Sequence, residues 1–122
     1  DEKHVDESRK VLNNIRDMPD QYMVPELFYY EMLHILSRVF PLSQTRHYLS
    51  DLYELGLNQI QAEPELMHQA AVFCHQYQLS GYDAIYAACA KISAGIWISA
   101  DAKAHKKIRR LGICRLLGNE TQ

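Results

Sequence analysis

The stretch WISADAKAHKKIRRLGICRLL, Trp97 to Leu117, decides the fold because it reads as strand, helix and strand in immediate succession. Ile96-Trp97-Ile98-Ser99 is a short apolar run, Ala102 to Leu111 is a basic helix, and Ile113 to Leu117 is apolar again. Working outward, Tyr82 to Ser93 is an Ala-rich helix behind the loop Leu79-Ser80-Gly81. Pro64 opens a helix carried by Leu66, Ala70, Phe73, Cys74 and Tyr77. Before it, Leu57 to Gln61 is a short strand candidate, and a helix from Leu42 stops at Leu55-Gly56. Glu26 to Phe40 reads ELFYYEMLHILSRVF, with Phe28, Met32, Ile35, Leu36 and Val39 at helical spacing, closed by Pro41. Tyr22-Met23-Val24 is strand-capable and meets Pro25, expected in the first turn of that helix. Val5, Leu12 and Ile15 mark a first helix from His4 to Arg16, ended by Met18-Pro19-Asp20. Helices and short apolar strands alternate, which predicts an α/β domain with a small, mostly parallel sheet. The strands are few beside the helices, so either the fold is helix-rich or a strand is absent.

The 122 residues suit one cored domain, and 48% apolar content with only 5 Gly and 4 Pro excludes disordered or collagen-like chains. The net charge of -2 gives no bulk basicity for nucleic acid, but its distribution is uneven. Residues 1–31 hold eight acids against four bases; residues 101–122 hold six bases against two acids. The basic end comprises Lys103, Lys106, Lys107, Arg109, Arg110 and Arg115, with His105 expected on the same face. A solvated helix face and a phosphate-binding surface both fit that pattern. Cys74, Cys89 and Cys114 show no metal-ligand spacing and read as buried free thiols in a reducing compartment; the six histidines show none either. Ala84 to Ala100 is apolar but too short and too polar for a membrane span, and reads as a buried helix followed by a buried strand.

Three carboxylates stand out. Glu31 lies four residues after Leu27 and four before Ile35, on a helical row with apolar neighbours, where a carboxylate needs a partner, a metal or a cleft edge. Asp83 begins the Ala-rich helix and Asp101 precedes the basic helix; both positions suit a helix cap or a site at strand ends. Carboxylates gathered in one crevice repel each other unless a divalent cation sits among them, and oxygen-only ligands select Mg²⁺ or Mn²⁺.

The segments VPELFYYEMLHIL at Val24 to Leu36, LSGYDAIYAACA at Leu79 to Ala90, and WISADAKAHKKIRRLGICRLL at Trp97 to Leu117 resemble, in that order and spacing, the PIN-domain family. The likeness is strongest to small prokaryotic members that act as toxins in toxin-antitoxin pairs. It implies a single three-layer α/β/α domain over residues 1–122 and a Mg²⁺ or Mn²⁺ dependent ribonuclease site. Glu31 matches the Glu of the Pro-Glu-Leu helix, Asp83 the Asp of the Tyr-Asp-Ala segment, and Asp101 the Asp after the penultimate strand. Ser99 takes the usual Thr or Ser position. Family members begin with an apolar strand ending in an Asp; nothing of that kind precedes Asp1, and DEKHVDESRKVL resembles the loop and helix that follow it. The first strand and its Asp are therefore expected to be missing from the chain as given.

On this reading the carboxylates hold the metal, and Lys103, Lys106, Lys107, Arg109 and Arg110 supply sequence-independent affinity for RNA. Tyr82, Tyr86 and Trp97 are stacking candidates, with core packing the competing role for Tyr86 and Trp97. The expected partners are RNA, a second copy of the chain and an antitoxin protein, in the cytoplasm and off the membrane. The competing reading is a PIN-like module that binds RNA or protein without cleaving.

Overall fold

A computed structural model describes residues 10, 11 and 13–117, so most of the expected helix from His4 to Arg16 lies outside the described residues; residues 13–17 are helical. The chain divides into two units, one of Asn13–Gln61 and one of the described residues of Asp1–Leu12 together with Ala62–Gln122. In the first, a 3-10 turn at Pro19–Gln21 leads into β1 (Met23–Pro25), α1 (Leu27–Val39), α2 (Leu42–Glu54) and β2 (Asn58–Ile60). The strands pair in parallel, Met23 opposite Asn58 and Pro25 opposite Ile60. Pro25 closes β1 rather than opening the helix, which starts at Leu27. Asn58 N donates to Tyr22 O at 3.3 Å and Glu26 N to Ile60 O at 3.2 Å, so Tyr22 and Glu26 face β2. By alternation the Pro25 nitrogen points to the outer edge, where no N–H is required.

Pro41 separates α1 from α2 as its position demands: Phe40 is extended and Pro41 caps α2. Thr45 secures this corner from within, its buried hydroxyl donating to Leu36 O at 3.2 Å or Phe40 O at 3.3 Å. Tyr29 is buried and stacks on Tyr53 with ring centroids 4.8 Å apart, joining α1 to the end of α2.

The second unit contains α3 (Pro64–Tyr77), α4 (Gly81–Ser93), β3 (Trp97–Ser99), α5 (Ala102–Ile108), a 3-10 turn at Arg109–Leu111 and β4 (Cys114–Leu116). α3 packs along α4, and the reason is in the side chains. Ala84, Ala87, Ala88, Cys89 and Ala90 are all buried on α4, so the backbones approach closely and Leu66, Ala70 and Phe73 of α3 fill the remaining space. β3 and β4 pair in parallel, Trp97 opposite Cys114 and Ser99 opposite Leu116. The basic helix is α-helical only to Ile108 and tightens to 3-10 geometry before Gly112, whose φ of 69° turns the chain into β4.

The expected parallel pairing holds, and among the described residues it takes the form of two two-stranded pairs, one in each unit. Each crossover, α1 with α2 in one case and α5 in the other, returns the chain beside the strand that preceded it. The strand expected to be buried at Ile96–Ser99 is only partly so, because Ile96 remains 56% exposed just ahead of β3. No helix among the described residues is long and apolar enough to cross a membrane.

Candidate functional site

The end of β3 meets the start of α5 through two adjacent hydrogen-bonding turns. Ser99 is buried, and its Oγ accepts from Asp101 N at 2.9 Å, which holds Asp101 in place. Asp101 is the N-cap of α5: its Oδ1 accepts from Lys103 N at 3.0 Å and from Ala104 N at 3.1 Å. The capping role that the sequence allowed is therefore real. Both of these bonds fall on one oxygen, and the side chain is exposed to solvent.

Asp83 differs. The cap of α4 is Ser80, whose Oγ accepts from Asp83 N at 3.1 Å. Asp83 itself stands half-buried in the first turn, where the helix dipole favours negative charge. Both acids lie within electrostatic reach of Cys114 on β4. Its buried thiol is pushed up to about 11, first by burial and then by the charges of Asp101 and Asp83. Two carboxylates separated by 18 positions in the chain act on one thiol, which marks their common neighbourhood. The sequence marks Cys114 only as a buried thiol; its place beside both acids is set by the β3–β4 pairing.

Glu31 belongs to the other unit, in the second turn of α1. It is half-exposed, and Ile35 on the same row is 50% exposed, so the carboxylate avoids the burial cost its apolar neighbours suggested. Among the described residues, no group of three or more His, Cys, Asp or Glu side chains is placed to hold a metal ion. The donor chemistry near Cys114 nevertheless suits a hard ion: a thiol titrating at about 11 is protonated near neutral pH, which leaves carboxylate oxygens as the ligands. Mg²⁺ needs only one or two carboxylates, completing its shell with water and substrate phosphate.

α5 sorts its side chains by face. Ala104, His105 and Ile108 are buried, while Lys103, Lys106, Lys107, Arg109 and Arg110 are exposed. The expectation that His105 joins the basic face is corrected: it lies on the buried stripe at 7% exposure, and its Nε2 has no hydrogen-bond partner among the described residues. Lys107 is committed elsewhere, its Nζ donating to Gln78 O at 2.7 Å and tying α5 to the end of α3. Trp97 stacks on Tyr86 of α4 with centroids 5.8 Å apart, which assigns both to packing, whereas Tyr82 is 65% exposed.

All three cysteines are free, Cys89 and Cys114 buried and Cys74 half-buried. Burial pushes the Cys89 thiol up to about 11 as well. Native chain at pH 8 is therefore expected to react with iodoacetamide at Cys74 first, and at all three only after unfolding in guanidinium; equal native rates would contradict this. Both thiols hold their protons more tightly when folded than an exposed thiol does. The stability they contribute is complete below about pH 9 and is lost as pH rises towards about 11.

No curated protein and no solved structure matches the chain. The family model described as PIN domain does match, over residues 1–111, a span that takes in β1 to α5 together with Glu31, Asp83 and Asp101. The chain belongs to the PIN domain family.

Proposed function

We propose that this chain is a Mg²⁺ or Mn²⁺ dependent endoribonuclease. The observation that carries the reading is membership of the PIN domain family, together with the placing of Asp83 in the first turn of α4 and Asp101 at the start of α5, directly after β3. Asp83 and Asp101 are the proposed metal ligands and Glu31 the third, with residues 1–122 working as one domain. Ser99 positions Asp101 through its backbone N–H. When bound, the ion supplies Lewis acidity at the scissile phosphate and activates the attacking water. The carboxylates would hold the ion and orient the attacking water; its oxygen would bond to phosphorus as the P–O3′ bond breaks and O3′ takes up a proton, leaving a 3′-hydroxyl and a 5′-phosphate. The wider proposal is a cytoplasmic toxin, acting as a homodimer and neutralised by an antitoxin protein.

A non-catalytic RNA-binding or protein-binding module is the second reading. It is favoured by the capping role of Asp101 and by the lack of a three-residue ligand cluster among the described residues. One assay separates the two: structured RNAs incubated with the protein in Mg²⁺, Mn²⁺ and EDTA. Cleavage with 5′-phosphate ends in both metal arms and none in EDTA is the expected result; intact RNA in all three arms selects the second reading.

Lys103, Lys106, Lys107, Arg109 and Arg110 are the proposed RNA contacts, Lys107 the weakest of them because of its bond to Gln78. Replacing Lys106 and Arg110 together by Ala is expected to weaken RNA binding. It should also flatten the salt dependence by about 0.7 per lost phosphate contact on a single strand. A slope equal to that of the unmodified protein would remove these residues from the RNA surface.

A further inference from the structure

Gln78, Leu79 and Ser80 form the corner between α3 and α4, and each is fixed in a different way. Gln78 ends α3 in the left-handed conformation, with φ of 57°, which a non-glycine residue keeps only where its surroundings determine it. Its side chain closes the last turn, Nε2 donating to His75 O at 3.1 Å. Leu79 is buried. Ser80 caps α4: its Oγ accepts from Asp83 N at 3.1 Å and its carbonyl from Ala84 N at 2.9 Å.

The first turn of α4 depends on this corner more than on packing. Gly81 and Tyr82 are exposed and Asp83 is half-buried, whereas the buried alanine stripe that anchors α4 begins at Ala84. A displacement of the corner is therefore carried to Asp83 before it reaches the rest of the helix.

A side chain of α5 reaches this corner. Lys107 lies on the flank of the buried stripe of α5, next to Ile108, and its Nζ donates to Gln78 O at 2.7 Å across a separation of 29 positions in the chain. The closest backbone approaches of α5 itself are to β4 and to the 3-10 turn, so the long, flexible stem of the lysine is what spans to the corner. A cation is favoured there, because the carboxyl end of α3 carries the negative end of its helix dipole.

We propose that Lys107 is a positioning residue: through Gln78 it holds the α3–α4 corner against α5, and so sets Asp83, in the first turn of α4, relative to Asp101, which caps α5. The covalent path from Asp83 to Asp101 runs through all the rest of α4 and through β3, whereas the path through Lys107 crosses directly from α5 to the corner. Lys107 is thereby set apart from Lys103 and Lys106, whose proposed task is to meet phosphate. Its effect on cleavage rests on the nuclease reading; its hold on the corner does not.

The test compares Lys107→Met, which keeps the length of the stem and removes the donor, with Lys107→Arg, which supplies a donor again. Circular dichroism confirms that each is folded. In the Met variant, hydrogen exchange followed residue by residue is expected to be about fivefold or more faster at the Asp83 and Ala84 amides, which Ser80 accepts, and unchanged at Lys103 and Ala104, which Asp101 caps. Steady-state cleavage of RNA in Mg²⁺ should show kcat lower by about tenfold or more, the mark of a displaced group at the site, with KM for RNA unchanged. Lys107→Arg should restore both exchange and kcat. Unchanged exchange at Asp83 and Ala84, faster exchange with kcat unaltered, or a loss that Lys107→Arg does not restore would each overturn the proposal. So would a raised KM and a flatter salt dependence with kcat unchanged, since that would make Lys107 a phosphate contact. If the unmodified protein cleaves no RNA, the nuclease reading fails and takes the effect on cleavage with it; if it cleaves and the Met variant cleaves equally well, this inference fails alone.

Discussion

Asp83→Asn is expected to lower metal-dependent RNA cleavage by more than about a hundredfold, beyond the loss typical for residues that merely orient a metal ligand. The fold should survive, because the α4 cap is the Ser80 hydroxyl and not the Asp83 carboxylate. The change removes a charge from the first helical turn, worth no more than about 2 kcal/mol at a half-buried position. Asp101→Asn is the matched experiment. Asn caps a helix about as well as Asp, so α5 keeps its N-terminal hydrogen bonds while the carboxylate is lost. Alanine at the same position would confound the two roles. If both Asn variants cleave at the rate of the unmodified protein, the acids around Cys114 are not the site. Glu31→Gln carries the same expectation for cleavage, and its result decides whether α1 contributes to the chemistry.

The largest effect on stability is expected at Phe73. It is 2% exposed, among the largest fully buried side chains described, and its ring lies 5.8 Å from that of Tyr77. Opposite it, α4 presents Ala84, Ala87 and Ala88, all fully buried. Alanines have no longer side chain to swing into a void, so the cavity left by Phe73→Ala cannot collapse. The cost should fall at the upper end of about 3–5 kcal/mol. Domains are stable by about 5–15 kcal/mol in total, so the variant should show a sharply lower urea midpoint or lack a folded baseline. A loss below about 1 kcal/mol would mean that the α3–α4 packing is looser than described.

Local signals carried much of the architecture. Pro41 closes one helix and Pro64 starts another where expected, Gly56 ends one, and all four strand candidates form within a residue or two of the positions read for them. These features depend on backbone preferences and on periodicity over a few residues, so they are written where they act. Pro25 was misread because both of its uses, ending a strand and starting a helix, avoid the missing N–H; only the pairing with Ile60 distinguishes them. Asp101 and Asp83 show the same ambiguity in a site. Either could cap a helix, and the hydrogen bonds of Ser80 and Asp101 decide which one does.

His105 marks the limit of one-dimensional reading. Its neighbours Lys103, Lys106 and Lys107 make the helix look basic all round, yet the ring lies on the stripe shared with Ala104 and Ile108. Helix, strand and charge order were legible from residues close together in the chain. The nearness of Asp83 and Asp101 to Cys114 and the burial of His105 were not. Each depends on β4 lying beside β3 and on the way α5 packs, contacts between distant residues whose energy no short window of sequence contains.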